Sequence, residues 1–169
     1  MTPASGVTKG DIHMRTNRIA RTAAVALFGL GSLGVFAGTA QAEPIDYVKI
    51  ELLQLTCHQQ SEGDHDEAYL NITDANGNQI KVWPGNGISY QTMGPGYVRG
   101  MTDGNGNTAL ILGREQARTL TLWDKDTFGG DDKLGATLVT GNEVGAETQY
   151  RSLEGSGGVY TIAYRVIDI

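Results

Sequence analysis

Val48, Ile50 and Leu52 alternate with Lys49 and Glu51, the period of a strand with one buried face. Leu53, Leu55 and Cys57 then take the opposite parity, which predicts a bulge, or burial of both faces, near Leu52. Further strands are predicted over residues 68–73, 79–83, 108–112, 119–123, 134–139 and 159–167. Turn chemistry separates them: Asn76-Gly77, Pro84-Gly85, Gly94-Pro95-Gly96, Gly104-Asn105-Gly106, Gly129-Gly130 and the glycines from 155 to 158. No stretch keeps a helical period between caps, and residues 114–117 could make one helical turn at most. Seven to eight short strands with glycine-rich connections and no intervening helices predict an all-β fold, an antiparallel β-sandwich. An eight-stranded barrel fits less well, because segments and loops are uneven in length.

The first quarter of the chain has a different pattern. Arg15, Arg18 and Arg21 form a basic segment, residues 23–37 are an apolar Gly- and Ala-rich run, and Ala40-Gln41-Ala42 has the small-x-small form of a cleavage site. Residues 14–42 therefore read as a signal peptide cut after Ala42, and the absence of an Arg-Arg pair points to the general secretory route. Residues 1–13 are polar and patternless: a disordered extension, or upstream of a true start at Met14. Retention by an uncleaved leader as a membrane anchor is the alternative, since the apolar run approaches spanning length.

Residues 43–169 then form a single domain with 9 basic and 18 acidic residues, a net charge near -9. Nucleic acid is excluded as a partner, because phosphate binding needs a surplus of Lys and Arg. Cation-independent adhesion to anionic membranes is disfavoured for the same reason. The single cysteine, Cys57, forms no internal disulfide and reads as a buried structural thiol.

The candidate chemistry lies in residues 124–135, DKDTFGGDDKLG, which follow the apolar Leu120, Leu122 and Trp123. Asp124 and Asp126 stand two apart, and the Gly129-Gly130 turn can fold Asp131 or Asp132 back to face them. Converging carboxylates repel and partly protonate without a cation, so a divalent ion is their natural neutraliser. All the donors are oxygens on flexible loops, which suits calcium better than magnesium. Zinc would need nitrogen or sulfur, and although Cys57, His58 and His65 are near in sequence, Cys57 and His58 fall on opposite strand faces.

The run Trp123, Asp124, Asp126, Asp132, Gly135 resembles the third calcium loop of the calcium-dependent phospholipid-binding (C-two) domain, named for the second conserved region of protein kinase C and found also in synaptotagmins. The resemblance implies that Asp124, Asp126 and Asp132 are calcium ligands, with Asp131 as an auxiliary. That family also draws ligands from a first loop ending in Asp-Pro-Tyr. Residues 62–70, EGDHDEAYL, are similar, with Tyr69 and Leu70 matching, the proline absent, and Glu67 or Asp66 in the aspartate's place. Gln60, Ser61, Glu62 and Asp64 occupy the region of the family's second first-loop aspartate. One occupied calcium site is expected, with an affinity on the order of 0.1 to 1 mM, as in other extracellular modules. By the same resemblance Phe128 and Lys125, at the loop tip, are the membrane-contact candidates.

Two further acidic runs, at residues 74–78 and 103–107, have Asp-x-Asn-x-Asn spacing but lack the following glycine and distal glutamate of a helix-loop-helix calcium site, so they are read as hairpin turns. Asn71-Ile72-Thr73 matches the glycosylation pattern but lies inside a predicted strand. Trp83, Tyr90 and Tyr97 could line a sugar platform or plug the core and edges. No catalytic motif is present, and residues 43–169 contain two histidines, so the chain is not expected to be an enzyme. The expectation is a secreted calcium-binding module contacting a phospholipid surface, an envelope polysaccharide or a protein. A calcium-stabilised structural or adhesion domain without lipid binding is one alternative; a small secreted enzyme or inhibitor is another.

Overall fold

The predicted parity switch in the first strand is a β-bulge. In the computed structural model, which describes residues 45–145, 147–155 and 157–169, β1 (Tyr47–Gln59) buries Val48, Ile50 and Leu52, then Leu55 and Cys57. Its register against β10 (Val159–Asp168) shifts between Leu52 and Gln54. The extra residue, Leu53, lets both halves of the strand point their apolar residues inward. The Asn105 side chain seals this point, donating to the Leu52 carbonyl at 2.9 Å and accepting the Leu52 N–H at 3.0 Å. The extension expected at residues 1–13 and the leader expected at 14–42 lie outside the described residues.

One sheet has the order β5-β1-β10-β9, with β5 at Val98–Gly100, β9 at Gln149–Glu154, and β6 (Ile111–Gly113) pairing the start of β1. The other runs β3-β2-β7-β8: Gln79–Trp83, Asp66–Thr73, Ala117–Asp124 and Asp132–Thr140. β4 (Gln91–Met93) pairs β2 beside β3. Every pairing between these strands is antiparallel, and the two inner faces enclose one core that includes Ile50, Leu55, Leu70, Trp83, Leu122, Tyr160 and Tyr164. The expected all-β antiparallel sandwich is the fold.

Several details differ from the expectation. Among the described residues there are ten strand segments rather than seven to eight, because β4, β5 and β9 carry too little alternation over three to six residues to be read from sequence. Residues 108–110 form a 3-10 turn before β6, with Asn107 capping it by accepting the Ala109 N–H, and β7 begins at Ala117, where the sequence allowed a helical turn. Residues 74–78 are a hairpin turn as expected, Asp74 Oδ1 accepting the N–H groups of Asn76 and Asn78 at 2.8 Å. Residues 103–107 are instead part of the connection from β5 to β6, which delivers Asn105 to the bulge.

This topology gathers four connections at one end of the sandwich. They are residues 60–65 between β1 and β2, 94–97 between β4 and β5, 125–131 between β7 and β8, and the turn between β9 and β10. The acidic segments at 62–67 and 124–132 are thereby brought to the same end.

Candidate functional site

Asp124 is the last residue of β7 and Asp66 the first of β2, in neighbouring strands whose register places Ala68 opposite Asp124. Both carboxylates are buried, Asp66 fully and Asp124 to within 3%. Ser61 stands between them, its Oγ 2.9 Å from Asp66 Oδ1 and 3.4 Å from Asp124 Oδ2. Asp66 also accepts the Ser61 N–H at 2.9 and 3.0 Å, the Glu62 N–H at 3.3 Å, and the hydroxyl of Tyr160 from the opposite sheet. Asp124 Oδ1 accepts the Glu67 N–H at 2.5 Å.

The electrostatics follow from this burial. Asp124 is pushed up to about 6, first by loss of solvent and further by the charges of Asp66, Glu62 and Asp126, against the lowering effect of the Glu67 N–H. Among the described residues, no Lys, Arg or His forms an ion pair with any of these four carboxylates. Tyr160 is pushed well above the usual phenol range by burial first and then by its bond to Asp66, and burial likewise raises the Cys57 thiol, which is hydrogen-bonded to Tyr160. Cys57 is the buried structural thiol expected from its sequence position.

The other candidate ligands are dispersed. Asp131 is turned away, accepting the Tyr69 hydroxyl at 2.6 Å and pairing with Lys125 at 2.7 Å. Those two partners, the Lys125 ammonium first, hold its carboxyl below the usual range. It lines a separate shallow groove of about 260 Å³ with Tyr69, Lys81, Ser89 and Lys125. Asp132 pairs with Asp124 in the strand register and is exposed. Asp64 is exposed in the first loop, where its carbonyl accepts the Gln60 amide at 2.7 Å. Glu67, of opposite strand parity to Asp66, is hydrogen-bonded to Tyr90 on the outer face. Of the two candidates for the aspartate position in the first loop, Asp66 is the one that meets Asp124.

As the side chains stand, no three His, Cys, Asp or Glu residues among the described residues are close enough together to hold a metal ion. The donor chemistry nevertheless fits a hard cation: Asp124 has acceptor capacity to spare, and Asp126, Glu62 and Asp132 are oxygen donors on or beside the two acidic loops. A bound calcium ion would supply the positive charge that this cluster lacks. It requires the half-buried Asp126 and the exposed Glu62 and Asp132 to draw in over Asp124.

At the tip of the 125–131 loop, Gly129 has φ of 112°, which a residue with a Cβ rarely adopts, and Phe128 beside it is 92% exposed. Lys125 is committed to Asp131. Trp83 is a core residue at 1% exposure, while Tyr90 and Tyr97 are exposed, the Tyr97 ring tilted against His65 with centroids 5.4 Å apart. Tyr160 is the site residue that sequence reasoning missed. Its signal is present all the same: a tyrosine on the buried parity of a strand has a hydroxyl that needs a partner.

No protein-family model and no curated protein matches the chain. Solved structures similar to it include one titled "Structure of a C2 domain", at 13% identity and TM-score 0.41 over 73% of this chain and 99% of that one. A C2 domain of plant extended synaptotagmin 1 is similar at 9% identity and TM-score 0.44, over 75% and 98% of the respective chains. Human GIVD cytosolic phospholipase A2 is similar at 11% identity and TM-score 0.45; 76% of this chain is covered but only 18% of the enzyme. The chain is an all-β antiparallel sandwich, and C2 domains are among the folds it is similar to.

Proposed function

We propose that this protein is a secreted calcium-binding β-sandwich module, a binding protein rather than an enzyme. Calcium sits at the loop end on Asp124, Asp126 and Asp132, and the first loop completes the site. The observation that carries this reading is the buried Asp124 carboxylate, pushed up to about 6 among three further carboxylates with no cationic side chain among the described residues paired to any of them. A cation removes that repulsion, so calcium binds the folded chain in preference to the unfolded one and stabilises it. The bound form then makes a calcium-dependent contact with a lipid surface, an envelope polymer or another protein, for which the exposed Phe128 is the contact residue. Export is supported by the leader-like pattern of residues 14–42.

A thermal melt with increasing calcium tests the reading. The midpoint is expected to rise through the millimolar range, and Asp124→Asn to abolish the rise. A midpoint indifferent to calcium and to chelator removes the proposal. The second reading, a calcium-stabilised structural module without lipid binding, is favoured by the pairing of Lys125 with Asp131, which leaves a single apolar side chain and no unpaired lysine on that tip.

A further inference from the structure

We infer that Asp66 is a buried anchor and not a cation ligand, and that Tyr160 is the positioning residue that holds it there. The ligand half of this inference rests on the calcium site proposed above; the anchoring half stands without it.

The argument is one of acceptor capacity. An ionised carboxylate has about four lone-pair positions. Asp66 uses them on the Ser61 N–H, the Ser61 hydroxyl, the Glu62 N–H and the Tyr160 hydroxyl. A calcium ligand must bring an oxygen to within about 2.3 to 2.6 Å of the ion, which would expel one of these donors. Expelling the tyrosine strands a hydroxyl that is fully buried and whose other partner, Cys57, is at best a weak acceptor. Expelling Ser61 or Glu62 undoes the turn that begins the first loop. Asp124 differs: it accepts one short bond from Glu67, the single Ser61 hydroxyl proton going to the nearer Asp66, and retains free lone pairs.

The anchor also explains the order of the loop. Tyr160 comes from one sheet and Asp66 from the other, and Ser61 links Asp66 to Asp124. The Cys57 thiol, opposite Tyr160 in the β1–β10 register, bonds to the phenol and completes a buried chain from Cys57 through Tyr160 to Asp66. Glu62, whose N–H is held by Asp66 while its side chain remains exposed, acts on Asp124 through its charge, as does Asp126.

The test has two arms, both on the full chain. In calcium-free protein, Tyr160→Phe, Asp66→Asn and the double variant are melted. The double variant is expected to lose less than the sum of the two single losses, because Asp66→Asn weakens the charge-assisted bond that Tyr160→Phe removes; additive losses overturn the anchor. If Asp66→Asn does not fold, Ser61→Ala combined with Tyr160→Phe replaces it, again with a non-additive loss expected, since both act on the same carboxylate. In the second arm, calcium is added to protein carrying ring-labelled tyrosine, and the Tyr160 resonance is assigned by its loss in Tyr160→Phe. It is expected to hold its position while Asp124→Asn abolishes binding and Tyr160→Phe weakens it several-fold at unchanged stoichiometry. A Tyr160 resonance displaced by calcium means that Asp66 has entered the coordination shell, and unchanged affinity in Tyr160→Phe means that it positions nothing; either overturns the inference. Wild type that binds no calcium overturns the proposed function and the ligand assignment together, while the melting cycle still decides the anchor.

Discussion

The Tyr160 hydroxyl, at the start of β10 in one sheet, donates to the Asp66 carboxylate, at the start of β2 in the other, so a buried hydrogen bond joins the two sheets where the acidic loops gather. Ser61 contacts both Asp66 and Asp124, and the exposed carboxylates of Glu62, Asp64 and Asp132 lie on or beside the same loops.

Acidification separates the calcium-free and calcium-bound forms. Asp124, pushed up to about 6, holds its proton more tightly in the folded chain than in the unfolded one. By linkage its contribution favours the calcium-free fold increasingly as pH falls from about 7 through 6 toward 4, on the order of 3 kcal/mol at most. Calcium needs the ionised carboxylate, so the calcium-induced rise in melting midpoint shrinks below about pH 6. Melts across pH with and without calcium check both trends, and Asp124→Asn is expected to flatten this part of the calcium-free profile.

Asp131 is held by the Tyr69 hydroxyl and the Lys125 ammonium. Tyr69→Phe removes a hydrogen bond to a charged acceptor and is expected to cost about 1 to 2 kcal/mol of stability, read by urea denaturation, with calcium affinity within about twofold of wild type. A loss of calcium binding in this variant would return Asp131 to the coordination shell.

Phe128 is free to change without harm to the fold. At 92% exposure, Phe128→Ala is expected to alter stability by less than about 0.5 kcal/mol. Cosedimentation with anionic liposomes in calcium decides its role: binding lost in Phe128→Ala supports lipid contact at the tip, and the absence of binding in wild type leaves the structural reading.

The bulge in β1 depends on a single side chain. Asn105→Ala removes two hydrogen bonds to Leu52 and leaves its N–H and carbonyl without those partners, so a loss of about 2 kcal/mol is expected in chemical denaturation, with calcium binding unchanged.

A backbone approach near the same connection is equally specific. A Cβ on Gly104 would lie 2.0 Å from the Val82 carbonyl oxygen, so Gly104→Ala must push β3 and the 102–107 segment apart. About 2 kcal/mol or more of destabilisation is expected, whereas Gly106→Ala, which meets nothing within 4 Å, is expected to be tolerated.

The sequence alone determined the long strands, the parity switch in β1, the sandwich class and the two acidic segments, because each is written in the local order of residues; the register against β10 decided that the switch is a bulge. Alternation over five or more positions encodes a half-buried strand, and β3 at Gln79–Trp83 was legible to the residue. β4, β5 and β9 were not, since three to six residues held in place by their neighbours need no pattern of their own. Only the tertiary structure decided which carboxylates meet. Asp66 and Glu67 are indistinguishable as formulae, but strand parity turns one into the core end against Asp124 and the other outward to Tyr90. Asp131, the equal of Asp132 in the sequence, is drawn off by Tyr69 and Lys125. The partner that fixes Asp66 lies 94 residues away on the facing sheet, and a contact across a packed core is set by how two sheets stack, which no local spacing records.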